Sequence, residues 1–87
     1  MDYGVITFTS TYGAIYAQKV LGGQIPVQVM PVLREISLGC GISLRLAPGH
    51  VGEARRILAG SGLTPEEYAF YGVSGTGAAL RTEALTG

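Results

Sequence analysis

The first 32 residues constrain the fold most. Tyr3 to Phe8 (YGVITF) is a β-branched and aromatic run, so it reads as a strand that begins almost at once. Ser10 and Thr11 then supply N-cap chemistry. Ala14, Ala17, Val20 and Leu21 follow at helical spacing until Gly22-Gly23 ends the pattern. After the turn Gln24-Ile25-Pro26, Val27 to Val32 (VQVMPV) reads as a second strand. A helix joining two strands of one sheet is a right-handed crossover, so these two strands run parallel. Pro31 has no N–H for a ladder, which places it at an edge or at the strand's last residues.

The remaining elements follow the same logic. Ile42 to Leu46 (ISLRL) alternates strictly, with Ile42, Leu44 and Leu46 expected inward and Ser43 and Arg45 outward. Pro48-Gly49 breaks the chain, and Val51, Ala54 and Leu58 mark a second helix that stops at Gly60-Ser61-Gly62. Thr64-Pro65-Glu66-Glu67 is a turn, and Glu67 to Val73 (EYAFYGV) is the last expected strand. The order βαββαβ predicts an α+β, ferredoxin-like split-βαβ fold. That fold has a four-stranded antiparallel sheet with two helices on one face and the third strand between the first and second. Residues 1–73 form this domain, and residues 74–87 are expected to be a Gly-rich, flexible tail with weak helical character at Ala78 to Leu85.

Composition removes several function classes. With 47% hydrophobic and 14% charged residues the chain is too apolar to be disordered. A chain of 87 residues buries only about 60–65% of its unfolded surface, so self-association into a homodimer is compatible with it. The formal net charge is zero, with no basic cluster beyond Arg55-Arg56, so there is no electrostatic footprint for nucleic acid. No apolar run reaches the ~20 residues of a membrane span. MDYGVITFTS lacks the basic and apolar regions of a signal peptide, and the chain holds one cysteine, so a cytoplasmic location is expected. No metal site and no resident cofactor are expected, since one His and one Cys are too few to close a zinc site. Met30 is expected to be core, and the glycines Gly72, Gly75 and Gly77 lack the Lys of a phosphate loop.

The chemistry concentrates in REISLGCGISLR, Arg34 to Arg45, where the single thiol of Cys40 sits between Gly39 and Gly41. In the expected topology this loop shares one end of the sheet with Thr9, Ser10, Thr11 and the N-terminus of the first helix. The thiolate is the nucleophilic form, and nearby positive charge lowers its pKa from ~8.5. Here that charge would come from the helix N-terminus, from Arg34, and from an anion nest of amides around Gly39-Cys40-Gly41. A hydroxyl of Ser10 or Thr11 would hydrogen-bond the sulfur. With no second Cys and no CxxC, a thioredoxin-like cycle is excluded, and a lone reactive thiol suits a group carrier. No His or paired carboxylate falls near Cys40 to act as a general base, so an enzyme is not expected. The inert alternatives stand beside this reading: a packing cysteine, a surface Arg34-Glu35 pair worth ~0–1 kcal/mol, and Ser10-Thr11 as a cap alone. His50, at the start of the second helix and the opposite end of the sheet, is expected to be exposed or capping. Tyr16 is expected to pack, and Tyr12 to shield the site.

These residues carry a resemblance. FTSTYGAIYAQKVL (Phe8 to Leu21) and IPVQVMPVLREISLGCGISLRL (Ile25 to Leu46) resemble the Se/S carrier protein-like family of small bacterial domains. The likeness is specific where Arg34, Ile36, Ser37, Cys40 and Gly41 fall together, and it covers the first half to two-thirds of the chain. The chain departs from the family pattern at Leu33, where a proline is common, and in its Gly-rich extension after Val73. The resemblance implies a carrier whose Cys40 holds a persulfide or perselenide, surrounded by Arg34, Ser37, Gly41, Ser10 and Thr11. It further implies a donor of the cysteine desulfurase or selenocysteine lyase type, and an acceptor such as selenophosphate synthetase. The alternative is a non-catalytic ferredoxin-like module, dimeric through its sheet, that binds a ligand or regulates a partner.

Overall fold

The structure is a computed structural model and describes residues 1–33, 36 and 41–85. Its elements are β1 (Tyr3–Phe8), α1 (Thr11–Gly22), β2 (Gln28–Pro31), β3 (Ile42–Leu46), α2 (Val51–Ala59), β4 (Tyr68–Ser74) and β5 (Arg81–Leu85). Short 3₁₀ turns at Pro48–His50, Pro65–Glu67 and Gly77–Ala79 precede α2, β4 and β5. The strands form one sheet in the order β2-β3-β1-β4-β5, with every neighbouring pair antiparallel. Because β1 and β2 both run antiparallel to β3, which lies between them, they are parallel to each other. Among the described residues, no helix is long and apolar enough to cross a membrane.

The expected count of four strands is therefore corrected to five. Residues 81–85, placed in the tail with helical character, pair with β4 from Arg81↔Ser74 to Leu85↔Phe70. The cause is the turn between them. Gly75 has φ 79, and a Cβ there would lie 2.3 Å from the carbonyl oxygen of Ala79, so only glycine lets the chain double back. Asp2 fixes the same turn, its carboxylate accepting from the Gly75 N–H at 2.8 Å. The Ser-Gly-Thr-Gly motif is thus the β4–β5 connection.

Both helices cover one face of the sheet. Ala14, Ala17 and Leu21 of α1 and Ala54 and Leu58 of α2 are buried in one cluster with Ile6, Phe8, Leu44, Leu46 and Phe70. The inward alternation of Ile42, Leu44 and Leu46 holds. Removing a fully buried Leu or Phe side chain from water contributes about 1.5–3 kcal/mol, so this cluster is the main source of stability.

The opposite face is also buried. Val5 and Val73 are fully covered there by Ile36, with Val32, Leu33, Met30, Tyr3, Tyr71 and Leu80 packed around them. Ser43 points away from the helices as its register requires, yet it is completely buried rather than solvated. Its hydroxyl lies 3.3 Å from the carbonyl oxygens of both Met30 and Pro31, so its one proton has a backbone acceptor. The physical reason is that the chain leaving β2 turns back over this face, and Ile36, 2% exposed, is the residue driven into it.

Candidate functional site

The end of the sheet beyond Phe8 is built by β1 and α1. Thr9 donates its N–H to the carbonyl of Glu67 at 3.1 Å, which ties the end of β1 to the turn before β4. Ser10 then adopts an extended conformation (φ −144, ψ 154) and caps α1. Its hydroxyl oxygen accepts from the Gly13 N–H at 3.1 Å, and its carbonyl accepts the first helical bond from Ala14 at 3.2 Å. The expectation of a Ser10 cap is met. No acidic side chain lies in the first turn, so the positive end of the helix is not neutralised from within. Ser10 and Thr11 are both exposed.

The start of β3 reaches the same end. The β1–β3 register pairs Thr7 with Ser43, and two further residues set Thr9 opposite Gly41. The Gly41 carbonyl accepts from the Val32 N–H at 3.1 Å, so β2 and β3 are held by one further bond beyond their ladder, a neck between Val32 and Gly41. Gly41 is exposed, its φ is not in the left-handed region, and among the described residues nothing beyond its chain neighbours lies within 4 Å of where its Cβ would be. The backbone conformation at this position does not require glycine.

Of the expected site residues, Ser10, Thr11 and Gly41 are brought to one end of the sheet. Cys40, Arg34, Ser37 and Gly39 lie outside the described residues. Gly41 is the chain neighbour of Cys40, and Ile36 the chain neighbour of Ser37. Tyr12 is 72% exposed and stacks on Tyr16, with ring centroids 6.2 Å apart, so it lies along the outer surface of α1. Tyr16 packs as expected and its hydroxyl accepts from the Gly62 N–H at 3.1 Å. Met30 joins the buried cluster of the helix-free face, as a core residue should. His50 occupies the N-cap position of α2, in line with the expected capping place, but it is half-buried, its side chain makes no cap bond, and its Nδ1 is buried without a partner among the described residues.

Two features were not visible in the sequence pattern. One is the cover that Val32, Leu33 and Ile36 lay over the helix-free face. The other is a groove of about 650 Å³ beside α2, lined by Arg55, Arg56, Pro65, Tyr68, Phe70 and Leu85 among others. Arg55 is held there over the Phe70 ring at 5.0 Å while donating to the Leu85 carbonyl at 2.9 Å. This groove exists because β5 widens the sheet beyond what α2 covers, so it could not be inferred from a four-stranded layout.

No curated protein and no solved structure matches the chain. The family model described as "Putative Se/S carrier protein-like" matches residues 3–69, from the first residue of β1 to the start of β4. That span contains the capped helix, the neck and every site residue expected from the sequence, and it stops short of β5. On this match the chain belongs to the Se/S carrier protein-like family.

Proposed function

We propose that this chain is a non-catalytic carrier that holds sulfur or selenium on Cys40 and hands it to an acceptor enzyme. The observation that carries the reading is the family match across residues 3–69, which takes in the chain's single cysteine. The described end of the sheet supports it, with exposed Ser10 and Thr11, a helix N-terminus whose first turn holds no acidic residue, and an exposed Gly41. Arg34, Ser37 and the amides of Gly39 and Gly41 are the groups proposed to stabilise the anion.

The chemistry is an exchange with no net oxidation. The Cys40 thiolate attacks the outer sulfur of a donor persulfide, a new S–S bond forms, and the donor's cysteine leaves as a thiolate. The outer sulfur keeps its proton. With a perselenide donor the outer atom is selenium, and the bond made and the bond broken are both S–Se. Delivery repeats the step, with a nucleophilic thiol of the acceptor attacking the outer atom and Cys40 leaving. The donor would be a cysteine desulfurase or selenocysteine lyase, the acceptor an enzyme such as selenophosphate synthetase, and the setting a reducing cytoplasm. No general base and no resident cofactor are required.

The test pairs two measurements. The rate of Cys40 alkylation against pH is expected to level off below the ~8.5 of an ordinary thiol. Incubation with a desulfurase and cysteine is expected to add one sulfur atom at Cys40, seen by mass spectrometry and absent in Cys40→Ser. Slow labelling with an ordinary or raised pKa, together with no added sulfur, overturns the reading. The binding-module alternative draws on the apolar groove beside α2, and under it Cys40→Ser retains full function.

A further inference from the structure

The two edges of the sheet differ. β2 is short and ends in Pro31, which has no N–H to offer a further strand. Among the described residues β5 has a neighbour on the β4 side only, and its sequence RTEAL contains no proline and no lysine to guard the outer edge. Arg81 and Glu83 are both exposed, two residues apart, and so project from the same face.

We infer that β5 pairs with β5 of a second copy, in an antiparallel register centred on Thr82, joining two five-stranded sheets into one. A two-fold axis perpendicular to the sheet must pass through a residue, because paired side chains have to share a face. The four candidate centres are then distinguishable by charge. An axis at Arg81 sets arginine against arginine, and one at Glu83 sets glutamate against glutamate. An axis at Ala84 leaves no charge pair among residues 83–85. Only the axis at Thr82 faces Arg81 with Glu83 of the other copy, twice by symmetry, around a Thr82–Thr82 pair and with Leu80 facing Ala84. Opposite charges and paired threonines both stabilise directly facing positions, and like charges destabilise them. The strand is thus complementary to itself in one register and self-repelling in the two beside it. β5 lies outside the residues matched by the family model, so the inference does not rest on the carrier reading.

Sedimentation velocity on the full 87-residue chain, with a thiol reductant present, tests it. Over roughly 10 µM to 1 mM, where a small interface shows its equilibrium, the chain is expected to shift from monomer to dimer. Arg81→Glu and Glu83→Arg are each expected to weaken dimerisation about tenfold or more, because each turns both charge pairs repulsive. An equimolar mixture of these two variants recovers association, since one carries two glutamates where the other carries two arginines. The double variant Arg81→Glu/Glu83→Arg recovers it alone. A wild-type chain that stays monomeric throughout overturns the proposal. So does a single variant that associates as tightly as wild type, or a mixture that does not recover. Cys40→Ser leaves each of these results unchanged, so the outcome cannot be confused with that of the carrier test.

Discussion

The two faces of the sheet are buried by different means. One is covered by two amphipathic helices whose spacing announces itself, the other by three apolar residues of a loop, Val32, Leu33 and Ile36. The helical face needs only local patterning: each buried residue of α1 and α2 recurs every three or four positions. The loop face depends on a single long-range event, the insertion of Ile36 between Val5 and Val73. What the difference teaches is that Ile36, four residues before Cys40, is part of the core of this small domain. Its packing and the proposed thiol chemistry are therefore linked.

The largest effect should come from the helical face. Leu58→Ala removes a fully buried side chain shared by α2 and the main cluster, and should cost about 2–5 kcal/mol in urea unfolding. Ile36→Ala should cost less, about 2 kcal/mol, because a loop relaxes into the space more readily than a helix can. It should also change the rate of Cys40 alkylation, which Leu58→Ala at matched stability should not. A loss below about 0.5 kcal/mol at Ile36 would show that the second face is a surface, and the comparison would break. The smallest effect is expected at Ser43→Ala, about 0.5–1.5 kcal/mol for the lost bond to Met30 or Pro31, measured the same way. A solvated serine, as strand alternation alone predicts, would show almost none.

Most elements were legible because local chemistry and long-range packing agree. β1, α1, β3, α2 and β4 lie within a residue or so of their expected limits, marked by Ser10, Gly22, Pro48 and Gly60. β2 came out shorter at both ends, where only Gln28 to Pro31 keep the ladder with β3. β5 was missed for a definable reason. Ala78 to Leu85 has residues that favour a helix in isolation, and pairing with β4 across the Gly75 turn overrides that preference. Ser43 was assigned to the correct face but the wrong environment, since no periodicity reports a loop folding over a sheet. At the candidate site, the cap at Ser10 and the position of Gly41 could be read from topology. That the backbone conformation at Gly41 does not require glycine could not.

The neck between Val32 and Gly41 has a consequence for how a carrier of this shape would meet its partners. Cys40 is one residue from the pinned Gly41 and four from the buried Ile36. At ~3.3–3.6 Å of chain per residue, that is a short leash. A swinging arm lets cargo commute between distant stations, whereas a cargo one residue from Gly41 has about one residue's reach from the sheet end and would travel as the domain travels. Donor and acceptor would each have to present their reactive atom to the same small platform in turn, so the two hand-overs exclude one another in space. Transfer would then be ordered by dissociation: the donor must leave before the acceptor can arrive.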